Sequence, residues 1–206
     1  MKTIEFLEGV LSSEGHYCVF AARSADDTRI QKFYDTLEEV ERAARKFDAQ
    51  GLNTYFGLGT YNEAGSRKAI NVREMKSLFL DLDCGPSKEY PTQKAAIDDL
   101  RAFCKKLSLP KPLMVNSGNG VHVYWPLTEA VSAEKWLVEA QRLKQACVDN
   151  GLRADTVVTA NLAQILRVPG GFNHKSDPPL PVEFFGVATP EPVVLEEFTS
   201  KLGVVM

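Results

Sequence analysis

Apolar residues fall along this chain in two rhythms, one of strands and one of helices. Seven short runs are dense in β-branched, aromatic and aliphatic residues, the composition of strands: YCVFAA (17–22), NTYFGLGT (53–60), KSLFLDLD (76–83), KPLMVN (111–116), VHVYWPL (121–127), AQILRV (163–168) and VEFFGV (182–187). Between them, three stretches carry apolar residues at helical spacing. The first begins at Thr36, an N-cap with Glu39 three residues on, and aligns Leu37, Val40, Ala44 and Phe47. The second aligns Ala96, Leu100, Phe103 and Leu107, and the third Trp136, Ala140, Leu143 and Cys147. GPSKEYPT and SDPPLP read as Pro-rich loops. This mixed order predicts an α+β domain, with helices packed against largely antiparallel sheet.

Composition narrows the class. With 206 residues, 44% of them hydrophobic, the chain can bury a sizeable core and is most simply one domain, residues 1–206, with two lobes around a cleft. Cys18, Cys84, Cys104 and Cys147 show no CxxC pair and no His at zinc-ligand spacing, so they read as small buried apolar side chains. No apolar run approaches the roughly 20 residues of a membrane helix. The start, MKTIEFLEGV, lacks the basic and then apolar order of a signal peptide. A cytoplasmic protein without a membrane partner is expected. A net charge of -3 gives no global attraction to nucleic acid, although Lys and Arg can still line a local channel while acids gather elsewhere.

Three places carry candidate chemistry. In FLDLDCG (79–85), Asp81 and Asp83 interrupt a run as apolar as a core strand, and strands are depleted in Asp. Alternation puts Phe79, Asp81 and Asp83 on one face and Leu78, Leu80 and Leu82 on the other. Two carboxylates so placed repel unless a cation holds them, and hard oxygen ligands suit Mg²⁺ or Mn²⁺. A strand end dipping into solvent would leave the same pair. In VNSGNGVHVYW (115–125), Ser117-Gly118-Asn119-Gly120 forms a tight turn between strands, and His122 shares a face with Tyr124 beyond it. Glycines let backbone N–H groups approach a phosphate, and His can donate to one; the plain alternative is a core histidine. In residues 154–175, Asp155 precedes a strand ending at Arg167, followed by a Pro-Gly-Gly turn and Asn173, His174 and Lys175. A planar fork and a point charge beside a glycine turn suit a triphosphate or a nucleic-acid backbone, although a solvated loop carries such charges too. His16 lies outside all three clusters.

Taken in order, LDLD, SGNGVHVYW and LRVPG with FNHK resemble the archaeo-eukaryotic primase superfamily, specifically the primase-polymerases of phages and plasmids, from about Tyr55 to Lys175. The resemblance implies a two-lobed α+β catalytic core with a palm-like sheet related to the RNA-recognition fold and flanked by helices. It implies DNA primase and polymerase activity: nucleotidyl transfer from nucleoside triphosphates on a single-stranded DNA template. Asp81, Asp83 and Asp155 match the acids of a two-metal Mg²⁺ or Mn²⁺ site, in which one ion activates a 3′-hydroxyl and the other grips the phosphates. His122 matches a histidine that touches the incoming triphosphate, and together with Arg167 and Lys175 it would neutralise that charge. Ser117, Gly118 and Gly120 belong to the nucleotide-binding turn, and Lys88 is a further candidate for the same role. Partners in replication, a replicative helicase among them, would supply localisation, the chain being then the N-terminal part of a longer primase-helicase.

The chain also departs from the family pattern. Gly120 stands where the superfamily often has Ser, Gly170-Gly171 where relatives usually show Gly-Thr, and Asn161 and Gln164 where Asp and Arg are frequent. Two other readings compete. FLDLDCG resembles the DxDxG nucleophile motif of haloacid dehalogenase-type phosphatases, which need a later acidic pair, and the candidate pair Asp98-Asp99 falls in a helix. Nicking replication initiators use a Tyr with two histidines, of which His122-Val123-Tyr124 has one. A degenerate relative would bind nucleic acid without catalysis.

Overall fold

The computed structural model describes residues 1–185 and 190–203. In chain order the elements are α1 (Thr3–Val10), β1 (Tyr17–Arg23), β2 (Thr28–Tyr34), α2 (Leu37–Asp48), β3 (Asn53–Gly57), β4 (Gly59–Tyr61), β5 (Val72–Leu82), α3 (Gln93–Lys106), β6 (Leu113–Asn116), β7 (Val121–Ser132), α4 (Ala133–Asp149), α5 (Thr156–Thr159), β8 (Ile165–Arg167), β9 (Phe172–Asn173), β10 (Leu180–Pro181), β11 (Glu183–Phe184) and α6 (Leu195–Ser200). The three helices expected from apolar spacing are α2, α3 and α4. Thr36 caps α2, its hydroxyl accepting the Glu39 N–H at 3.3 Å, and Thr92 caps α3 through Ala95 N–H at 3.2 Å. The stripes are buried apart from the half-buried Leu37 and Leu107.

The strands form a main sheet of order β11-β6-β7-β5-β4, a second sheet of order β2-β1-β3-β8, and a small β9-β10 ladder. Each of these strand pairs is antiparallel. Because β5 and β6 both pair antiparallel with β7 between them, they run parallel to each other, with α3 as the crossover. This is a split β-α-β unit, and it ends β5 beside the start of β7. The mixed, largely antiparallel architecture is the one the alternation of patterns predicts.

NTYFGLGT, read as one strand, is two. β3 belongs to the second sheet and β4 to the main sheet, and the chain turns the corner at Leu58. Glycine is required there, since a Cβ on Gly59 would lie 2.9 Å from the Glu74 carbonyl oxygen. β2 escapes the sequence pattern because TRIQKFY pairs with β1 from an exposed position and lacks apolar density. The strand expected over 182–187 is ordered as a ladder only at β11; residues 186–187 lie outside the described residues.

Two contacts hold the sheets around the site. The α1 side chain Phe6 meets Phe56 of β3 at 5.6 Å between ring centroids, and Tyr124 of β7 at 5.1 Å, so it wedges the two sheets together. On α4, Trp136 stacks on Phe79 at 5.2 Å and donates its indole N–H to the Ser77 carbonyl at 2.8 Å, which fixes β5. Among the described residues, no helix is long and apolar enough to cross a membrane.

Candidate active site

Asp81 is the penultimate residue of β5, and Asp83 follows the strand end. The strand is covered on both faces: Leu78, Phe79, Leu80 and Leu82 are all fully buried. The Asp81 side chain is therefore only 19% exposed, whereas that of Asp83 is 45% exposed. The third acid arrives by a backbone strap. Asp155 donates its N–H to the Asp81 carbonyl at 2.9 Å and caps α5, its Oδ1 accepting the N–H groups of Val157 at 2.8 Å and Val158 at 3.2 Å. Three carboxyl groups from two distant parts of the chain are thus gathered. Burial, and then the charges of Asp83 and Asp155, push the Asp81 carboxyl up to about 7.

Asp83 and Asp155 line a cleft of about 500 Å³ with Lys88 and Arg153. Lys88 Nζ donates to Asp83 Oδ2 at 2.8 Å, so the Lys88 of the sequence pattern sits on an acid in this structure. Among the described residues, no three acidic, His or Cys side chains are already drawn to one metal-binding point.

His122 lies directly across from Asp81 in the β5-β7 register, its Nε2 3.9 Å from Asp81 Oδ1. Its side chain is 6% exposed, and Nδ1 is buried with no hydrogen-bond partner. Burial, assisted by the Arg167 charge, lowers its pKa to about 3. Burial thus favours the neutral imidazole, which can still offer a hydrogen bond to a phosphate oxygen.

The Ser117–Gly120 turn is closed from within. Gly118 N–H donates to Asn116 Oδ1 at 2.8 Å and Gly120 N–H to Ser117 Oγ at 3.1 Å, so these groups are used inside the turn instead of standing free for a phosphate. Gln93 braces it from α3, donating to Asn116 Oδ1 at 2.7 Å and to the Gly120 carbonyl at 3.1 Å. The glycines serve close packing. A Cβ on Gly118 would lie 2.8 Å from Asn173, and one on Gly120 2.7 Å from the Leu82 carbonyl oxygen, beside the acids. Gly120→Ser is accordingly expected to destabilise this chain by about 1–3 kcal/mol. Urea unfolding followed by circular dichroism measures it; an unchanged midpoint would show that β7 can shift away from Leu82 without loss.

Arg167, at the end of β8, is buried at 6% exposure, donates to Asn53 Oδ1 at 2.6 Å and lies over the Tyr55 ring at 4.9 Å. It is close enough for its charge to act on both Asp81 and His122. Asn53 Oδ1 also accepts the His174 N–H at 3.0 Å, while His174 Nε2 meets Asp48 Oδ1 at 2.9 Å. Asp48 accounts for Gly171, where a Cβ would lie 2.9 Å from its carboxylate. Asn161 Nδ2 donates to Gln164 Oε1 at 3.2 Å, a neutral pair. Lys175 is exposed, its backbone tied through Asn173 Oδ1 at 3.1 Å, and Asn173 bonds the Ser117 carbonyl at 3.1 Å. Asp98 and Asp99 stay in α3, paired with Lys94 and Arg153 respectively.

Sequence reasoning passed over Asn53, Asp48, Gln93, Tyr90 and Arg153. Arg153 covers the Tyr90 ring at 4.2 Å, and its backbone N–H donates to the Tyr90 hydroxyl at 3.1 Å. Each of these acts through a partner far along the chain, so no local pattern announces it.

The gathered acids, the buried histidine and arginine, and the split sheet define an α+β domain built around a polar cleft. No family model matches the chain. A Replication protein of Clostridium perfringens is 30% identical over 136 residues, which make up 64% of this chain and 32% of that protein, so the chain spans about a third of its relative. The primase-polymerase AEP domain of cyanophage S-2L superposes with a TM-score of 0.65 at 17% identity, over 92% of this chain and 90% of that one. The catalytic domain of primase RepB′, solved in complex with initiator DNA, gives 0.59 at 12% identity, over 98% of this chain and 94% of that one. The chain has the primase-polymerase fold.

Proposed function

We propose that this protein is a divalent-metal-dependent nucleotidyltransferase of the primase-polymerase kind, acting with nucleoside triphosphates on a single-stranded DNA template. The observation that carries the proposal is the strap from the Asp155 N–H to the Asp81 carbonyl at 2.9 Å, which brings a third acid to the end of β5, where burial first and then the charges of Asp83 and Asp155 raise the Asp81 carboxyl. Such a cluster disfavours the metal-free fold and makes sense as a cation site. The donor set fits Mg²⁺ or Mn²⁺ in charge and hardness, because all three groups are carboxylates. When bound, such an ion stabilises phosphate charge and makes a 3′-hydroxyl more nucleophilic.

The remaining roles belong to the chain's own side chains. Arg167, held rigid by Asn53 and Tyr55, supplies fixed positive charge beside the acids. His122 offers a neutral hydrogen bond to a phosphate oxygen, and Lys175 supplies mobile positive charge at the rim, near the Ser117 turn. The DNA bound by the RepB′ catalytic domain is what suggests a DNA template here. The matched stretch makes up 32% of the relative's length, so the activities of that whole protein are not carried over to this chain. The test is to incubate the protein with single-stranded DNA, Mn²⁺ and labelled nucleotides, with and without a primer, and to size the products. Chelator-sensitive chain growth supports the proposal. Binding of template without any incorporation would assign the chain to a non-catalytic role.

A further inference from the structure

We propose that Lys88 is a switching counter-ion: its ammonium neutralises Asp83 while the acid site lacks a divalent cation, and transfers to the triphosphate once the site is loaded. This inference rests on the metal-dependent reading above and adds to it a device that couples the two ligands.

The geometry separates a fixed base from a free tip. Asp83 and Lys88 bracket a loop whose base is closed by Gly85 N–H to the Tyr90 carbonyl at 2.9 Å and Tyr90 N–H to the Asp83 carbonyl at 3.3 Å. Tyr90 is fully buried, and Arg153 clamps the same base, stacking on the Tyr90 ring and donating to the Glu89 carbonyl at 2.8 Å. The tip, residues 86–89, is exposed. Lys88 folds back through a turn, its N–H donating to the Gly85 carbonyl at 3.1 Å, and Gly85 takes a φ of 145° that other residues rarely adopt. A rigid base thus fixes where a long, flexible side chain starts, while that side chain, 52% exposed, can carry its ammonium to another partner within the cleft.

Charge gives the direction of the switch. In the structure Lys88 Nζ is bonded to Asp83 Oδ2 at 2.8 Å, and the Asp81 and Asp155 charges act on it as well. An ammonium and a divalent cation compete for the same carboxylate oxygen, so Lys88 weakens metal binding. Once displaced, it adds a positive charge where phosphates would gather. A lysine suits this because it is a flexible point charge and not a planar fork bound to one geometry.

The consequence is a pair of opposite effects from one substitution. Lys88→Met should tighten Mn²⁺ binding about threefold and weaken binding of a nucleoside triphosphate, measured at saturating Mn²⁺, by about threefold or more, the scale of an exposed ion pair. Lys88→Arg should restore triphosphate affinity. Mn²⁺ binding is read from the loss of the free-ion electron paramagnetic signal, and triphosphate binding by calorimetry. Unchanged affinities in Lys88→Met, or weakening of both with a lowered Tm, would overturn the switch and leave the metal site standing. Wild-type protein that binds no Mn²⁺ would overturn the metal-dependent reading itself, and the switch with it.

Discussion

Replacing Asp81 with Asn is expected to raise the stability of the protein at pH 8 and, in the same molecule, to remove most of the proposed nucleotide incorporation. Burial and two neighbouring acids lift the Asp81 carboxyl from 3.8 to about 7, and a shift of that size is linked to folding by about 4 kcal/mol at most. With one-fifth of the side chain exposed, solvent relaxes the penalty, and a gain of about 1–2 kcal/mol is expected, or roughly 2–8 °C in Tm. The sign follows from the direction of the shift. The folded state holds this proton more tightly than the unfolded chain, so Asp81 favours folding at low pH and that contribution is lost as pH rises from 3.8 through 7. The advantage of Asn is therefore full at pH 8, shrinks below 7 and disappears near 4. Incorporation should fall by at least about 100-fold, since a group that positions transition-state charge is removed. Asp83→Asn should lose activity similarly with little change in stability, because Asp83 is half exposed and paired with Lys88. An Asp81→Asn protein with wild-type Tm across this pH range would show that the acids do not burden the fold.

Truncating Phe6 to Ala is expected to cost about 3–5 kcal/mol, the range for a buried aromatic, and to lower Tm by roughly 6–20 °C. Phe6 is 1% exposed and packs against Phe56, Tyr124 and Phe184, rings that belong to β3, β7 and β11. These strands belong to both sheets, and the site lies where they meet. Arg167 comes from the second sheet, and Asp81 and His122 from the main one. Loosening the wedge should therefore also let Arg167 drift from the acids. Chemical denaturation gives the stability, and a loss under about 1 kcal/mol would mean that the sheets stay joined without α1.

The parts of the site visible in the sequence are those where a residue contradicts its surroundings. Asp81 and Asp83 interrupt an apolar strand, and His122 follows a glycine-rich turn into another. The long helices were legible because burial imposes a helical period on α2, α3 and α4. What stayed hidden depends on contacts between distant residues. Asp48 meets His174 across 126 positions, and Asn53 meets Arg167 across 114, so neither partner has a local signature. The Leu58 corner was hidden for another reason: both sides of it are strand, and only the pairing, β3 with β1 and β8 and β4 with β5, shows that they enter different sheets. Charge state was hidden too, because burial of His122 comes from packing that no run of residues records.

The central claim is that Asp81, Asp83 and Asp155 form one cation site. Thermal unfolding of the wild-type and Asp81→Asn proteins at pH 8 over a Mn²⁺ titration tests it without need of template or substrate. The wild-type Tm should climb steadily with the logarithm of the ion concentration, stability gaining about 2.7 kcal/mol when the ion is at a hundred times its Kd, while Asp81→Asn starts higher and stays flat. Equal responses in the two proteins, or none in either, would contradict it.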